Sequence, residues 1–170
     1  GVIVRADGHE LSAAAAGLHL ASHCHLWDAA AEIVHERVDD YRDDMAGQIL
    51  LAAERRLSVR IDSDEVRLGL EERIRRILGP VLVRRLCLLA LVDAGIPFDL
   101  YGDGWTNDDR LAAHYRGPWP RPADVPEVLQ TCGLLIVIET SGRPPPPLLD
   151  AIATGCAGLV RRHPLDKDED

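Results

Sequence analysis

"LLIVIET" at residues 134–140, then "PPPPLLDAIATGCA" at 144–157 and "GLVRR" at 158–162, decides the fold. An apolar run of this length bounded by turn residues reads as a strand buried on both faces. The segment after it, rich in alanine and leucine, reads as a helix, and "GLVRR" reads as one more strand. Two strands joined by a helix run parallel, because a tight hairpin cannot connect them and the crossover returns on one face of the sheet.

The same alternation extends upstream. "PADVPEVLQTCG" (122–133) is a helix, with Asp124 as its cap or Pro122 ahead of it, and "AHYRGPW" (113–119) is a short strand. "PFDLYG" (97–102) is a strand preceded by the helix "VLVRRLCLLALVDAG" (81–95), which Gly95 stops with Pro97 just beyond. From Val81 onward the order is helix, strand, strand, helix, strand, helix, strand. The expected class is α/β: a Rossmann-like parallel sheet flanked by helices, preceded by a mostly helical segment. Phe98–Tyr101, Leu134–Ile138 and Gly158–Val160 are expected to be neighbouring parallel strands, with the helix containing Asp150 between the last two.

Residues 1–78 supply that helical segment, and 79–170 the sheet domain, with a boundary near Gly79. "GVIVR" (1–5) has the β-branched composition of a strand. "ELSAAAAGLHLASHCHLWDAAAEIVHERV" (10–38) reads as two helices with a break near Trp27, where Asp28 caps the second. Ile33, Val34, Val38, Met45, Ile49, Leu50 and Ala53 recur at helical spacing beside "ERVDDYRDD" (36–44) on a wet face. "DSDEVRLGLEERIRRIL" (62–78) has Asp62, Ser63 or Asp64 as N-cap and acidic residues in its first turn, and Gly79-Pro80 interrupts it.

Composition narrows the function classes. The chain has 170 residues, 46% of them hydrophobic, and a net charge of −9 from 28 acidic and 19 basic residues. That balance disfavours sequence-independent nucleic-acid binding. No apolar run reaches the roughly 20 residues of a membrane span. Cys24, Cys87, Cys132 and Cys156 have no paired spacing and read as small buried hydrophobes in a reducing compartment. His19, His23 and His25 beside Cys24 lack a further ligand at clear spacing, so no metal is expected. A start at Gly1, with no signal pattern, reads as a piece of a longer cytoplasmic polypeptide. No nucleophile–histidine–acid pattern or Walker loop is present, and "GDG" is too short for a dinucleotide fingerprint.

Ligands of open parallel sheets sit beyond the carboxyl ends of the strands. Those ends carry "YGDGW" (101–105), "RGPWPRP" (116–122), "ETSGRPPPP" (139–147) and "RRHPLD" (161–166), which gather glycine, arginine, tryptophan and small hydroxyl residues on one edge. Trp105 reads either as a cover for the core or as a lining of the ligand site, and Trp119 as packing.

The succession of "YGDGW", "YRGPW", a helix ending in "LQTCG", the strand "LLIVIE" and the helix "LLDAIATGCAGLV" resembles the C-terminal, donor-binding half of GT-B glycosyltransferases. It is closest to the group-1-like branch that includes spore-coat and surface-glycan enzymes, over roughly Arg84 to Pro164. The resemblance implies transfer of a sugar from a nucleoside-diphosphate donor to the hydroxyl of a glycan, lipid or protein acceptor, with no further cofactor. It implies that Asp150 accepts hydrogen bonds from the donor ribose. Gly102 and Gly104 would admit the nucleotide. Arg84 or Arg85, or as the second candidate Arg143, would neutralise the diphosphate, and main-chain N–H groups of Ser141, Gly142, Arg143, Leu148 and the residues after it would be the ones able to bind it. The catalytic base would lie in the N-terminal half. Three features depart from the pattern: Asp150 replaces the usual glutamate, Gly142 stands where many relatives have another, and Pro144 to Pro147 have no N–H to donate. Two alternatives are a degenerate binding or scaffolding module and a sugar-nucleotide epimerase.

Overall fold

The computed structural model describes residues 1–6, 21–140 and 146–161. Five strands, β1 (Val2–Arg5), β2 (Asp99–Tyr101), β3 (Tyr115–Gly117), β4 (Leu134–Val137) and β5 (Ala157–Val160), form one sheet in the order β3-β2-β1-β4-β5. Every pairing is parallel, as the strand–helix–strand alternation requires. The fold is a Rossmann-like α/β arrangement, a parallel sheet flanked by helices.

One expectation about the sheet is corrected. β2 and β4 are not neighbours, because β1 lies between them, with Val4 opposite Leu100 on one side and Ile136 on the other. A strand paired on both edges and covered on both faces must be apolar on both. Ile3 and Val4 accordingly are both buried. The N-terminal residues therefore belong with the sheet rather than with the helical segment. The described chain divides into a sheet unit, residues 1–6, 84–140 and 146–161, and a helical unit, residues 21–83. The division falls between Val83 and Arg84, inside a helix, and not at Gly79.

In the sheet unit, Ile3, Leu135 and Val137 form a core with Val125 and Leu129 of one helix and Ala151 of another. These two helices span Val125–Gln130 and Pro146–Thr154. On the opposite sheet face Val4, Leu100 and Ile136 are buried as well. β5 is an edge strand, and Leu159 on it is exposed, as are Leu149 and Ile152 on the helix before it.

Numbered in chain order, the helices are α1 (Ala21–Glu36), α2 (Ala46–Leu57), α3 (Asp64–Arg73), α4 (Gly79–Asp93), α5 (Asp109–Ala112), α6 (Val125–Gln130) and α7 (Pro146–Thr154). α1 passes through Trp27 and Asp28 without the expected break. Trp27 is buried there beside Leu26 and Ala30, and no glycine or proline interrupts the run. The wet face assigned to "ERVDDYRDD" is also corrected at one position, since Tyr41 is fully buried.

Gly79-Pro80 does not end a helix either. α3 begins at the Ser63 N-cap, whose hydroxyl accepts from the Val66 N–H, and leads through a π-helical turn, Ile74–Leu78, straight into α4. Pro80 has no N–H for the carbonyl four residues back, and the turn just ahead of it is widened, with the Gly79 N–H reaching the Ile74 carbonyl five residues back. Gly79 itself is needed for close approach: a methyl group there would overlap the Tyr41 hydroxyl and ring. α4 ends as expected at Gly95, with Gly95 N–H bonded to Val92 O and Ile96 N–H to Leu91 O.

Candidate functional site

The strand order reverses between β1 and β4, so the crevice expected of such a sheet lies beyond their carboxyl ends. β1 ends in Arg5 and the buried Ala6. β4 runs into Ile138, the half-buried Glu139 and the buried Thr140.

Arg84 reaches this end of β4 from α4. Its Nε donates to the Ile138 carbonyl at 3.2 Å, and its guanidinium lies 3.7 Å from Glu139 Oε1. Its neighbour Arg85 instead pairs with Asp108, 2.7 Å from Nε to Oδ2. Asp108 also caps α5 through the Arg110 N–H, so Arg85 anchors the loop after β2. Of the two arginines the sequence offered, Arg84 stands at the switch point and Arg85 beside the neighbouring loop.

"YGDGW" is a turn that closes over the end of β1. Gly102 and Gly104 adopt φ of 134° and 88°, conformations that residues with a side chain rarely take. The turn aims Trp105 back into the core, where its indole N–H donates to the Ala6 carbonyl at 2.7 Å and only 2% of the residue is exposed. The Gly102 N–H bonds to Gly117 O, and the Ala6 N–H to Tyr101 O, so the ends of β1, β2 and β3 are tied together. Trp105 is the core cover and does not line a site. Gly104 and Asp103 are the exposed part of the turn, while Gly102 is buried.

Trp119, just after β3, packs edge-on against Tyr101 with ring centroids 6.1 Å apart. The Arg5 guanidinium lies 5.0 Å from the Trp119 ring centroid, a cation–π contact that holds a positive charge at the carboxyl edge. Arg5 was not singled out from the sequence. Its place as the last residue of the apolar run "VIVR" was the available signal.

Asp150 is the fifth residue of α7 and is exposed, whereas Pro147 and Ala151 of the same helix are buried. It follows β4, whereas the "YGDGW" turn follows β2, and β1 separates those strands in the sheet. Ser141 and Arg143 lie outside the described residues, as does His19. Among the described residues no group of three or more His, Cys, Asp or Glu side chains is placed to hold a metal ion. No helix among them is long and apolar enough to cross a membrane.

The edge thus brings together two guanidinium groups, an aromatic pair and a glycine turn, with a solvent-facing carboxylate on the helix after β4. Such a set is suited to an anionic, planar-ringed ligand. No family model, curated protein or solved structure matches this chain.

Proposed function

We propose that this chain is the donor-binding unit of a GT-B-type glycosyltransferase, holding a nucleoside-diphosphate sugar at the carboxyl edge of the sheet for transfer to an acceptor hydroxyl. The observation that carries this reading is the β3-β2-β1-β4-β5 order with Arg5 and Arg84 at the two strand ends that flank the switch point. In this reading those cations stabilise the departing diphosphate electrostatically, as a metal would elsewhere. Asp150 offers a carboxylate to the adjacent hydroxyls of the ribose. Because Pro146 and Pro147 open α7 without N–H groups, the arginines carry more of the phosphate binding than in a helix with a free first turn.

The same prolines favour a second reading, a binding module that retains the nucleotide pocket without catalysis. Calorimetric titration of uridine and guanosine diphosphate into the chain tests both. Saturable binding of one nucleotide is expected. Asp150→Ala and Arg84→Ala should each weaken it by about 1–3 kcal/mol, the scale of a lost charge-assisted hydrogen bond. Absence of binding at millimolar nucleotide would sink the donor-site reading. Binding by the chain, with no sugar reaching an acceptor hydroxyl once a base-bearing N-terminal half is also present, would favour the non-catalytic module.

A further inference from the structure

Cys132 and Cys156 are read from sequence as unrelated small hydrophobes, yet the sheet brings their sulfurs to 2.9 Å. The register explains it. β4 and β5 pair with Leu134 opposite Ala157, so the residues just ahead of the two strands come together at the amino edge. That edge is opposite the candidate nucleotide site. Each cysteine also follows a helix that covers the sheet, with the Cys132 N–H bonded to Leu129 O and the Cys156 N–H to Ala151 O. Both thiols are buried in one core cluster, each 7% exposed.

We propose that Cys132 and Cys156 are a redox modification site, a dithiol that a small disulfide oxidises to an internal crosslink between the α6–β4 and α7–β5 connections. This inference is independent of the donor-site reading. A bond about 2.0 Å long requires the sulfurs to close by about 0.9 Å, within the reach of small side-chain rotations. One cysteine thiolate attacks the small disulfide and releases one small thiol, leaving a mixed disulfide. The other thiolate then attacks the cysteine sulfur of that mixed disulfide and expels the second small thiol. The two cysteines together lose two electrons and two protons, and the oxidant leaves as two thiols. Burial, reinforced by the hydrogen bond with Cys156, pushes the Cys132 thiol up to about 11. Its thiolate is therefore scarce near neutrality, which slows attack by the Cys132 sulfur.

The test uses cystamine as the small disulfide, followed by denaturation, alkylation of remaining thiols and cleavage after glutamate. Cutting at Glu127 and Glu139 puts Cys132 on the peptide 128–139 and Cys156 on the one that begins at Thr140. The expected result is a single species in which these two peptides are joined and separate on reduction, while Cys24 and Cys87 carry cysteamine or the alkylating group and are joined to no other peptide. The oxidised chain should melt several degrees higher than the reduced chain, since closing a loop of this length restricts the unfolded state. That shift should vanish in Cys132→Ala and in Cys156→Ala and persist in Cys24→Ala. Full alkylation of Cys132 and Cys156 after cystamine treatment, or crosslinks spread over all four cysteines, would overturn the proposal. Because the peptide readout uses the unaltered chain, it holds even if a cysteine variant fails to fold.

Discussion

Glu54 is a charged residue kept almost entirely from water, with 4% of it exposed. Burial alone would raise its pKa. The Ile61 N–H, 2.7 Å from Oε1, and the Arg67 guanidinium, 2.8 and 3.0 Å from the two oxygens, outweigh that penalty and hold the carboxyl below its ordinary value. Folding therefore favours the ionised form. The resulting stability is complete above the unfolded-state value of about 4.3 and is lost as pH falls through the lower folded-state value. Glu54→Gln should remove about 2–3 kcal/mol at pH 7, because Arg67 loses its charged partner. The deficit relative to the unaltered chain should shrink in denaturant titrations run below about pH 4. An equal deficit at pH 3 and pH 7 would refute the ionic account. In sequence Glu54 looks like any solvent-facing charge in "LLAAERRL", because its burial depends on partners contributed by the following loop and by α3. Asp150 shows the opposite case: its helix and its exposure are local properties, and the sequence shows the helix directly.

At the scale of the element, local signals were reliable where they act locally. The Ser63 cap, the Gly95 stop and the glycine turn of "YGDGW" formed as their chemistry dictates. Gly79-Pro80 has the same appearance as a breaker, yet the helix continues. What decides it is Tyr41, far away in the chain, whose hydroxyl lies 3.5 Å from the Ile74 carbonyl and whose ring requires a glycine opposite. No window of sequence around residue 79 contains that partner. Gly79→Ala tests which effect wins. Alanine improves helix propensity by about 1 kcal/mol, whereas overpacking a filled core costs about 1–3 kcal/mol. The overlap is with a ring that burial holds in place, so the upper part of that range applies and a net loss of about 1–2 kcal/mol is expected in urea unfolding. A stabilised variant would mean that the ring moves aside. Tyr41→Phe combined with Gly79→Ala should then recover part of the loss, because removing the hydroxyl relieves the closest overlap.

For the molecule as a whole, the parallel sheet was legible because each strand after residue 97 has its own apolar run and each is followed by turn chemistry. The strand order was not, because pairing is non-local and "GVIVR" is separated from its partners by more than ninety residues of sequence. Its consequence is that the sheet is closed by the first residues of the chain. Among the described residues β1 is the only strand that touches both β2 and β4, so it alone joins the β3-β2 pair to the β4-β5 pair within the sheet. Its two inner side chains, Ile3 and Val4, are buried on opposite faces, and the Ala6 carbonyl is the acceptor that holds Trp105. Removing residues 1–6 should therefore cost more than the contacts of one short strand. It exposes ladder edges on two other strands, uncovers both faces of the core and leaves the Trp105 indole N–H without its partner. Val4→Asp should act in the same direction at full length, since a carboxylate at a fully buried central position has no partner to offset its desolvation. Amide hydrogen exchange reads the outcome. Both changes should abolish protection at Tyr101 and Ile136 together, because the backbone groups of those residues face β1, whereas the Leu100 N–H is bonded to the His114 carbonyl on the other side of β2. Retained protection at either residue in the shortened chain would show that one strand pair stands without β1, and the central role assigned to it would fail.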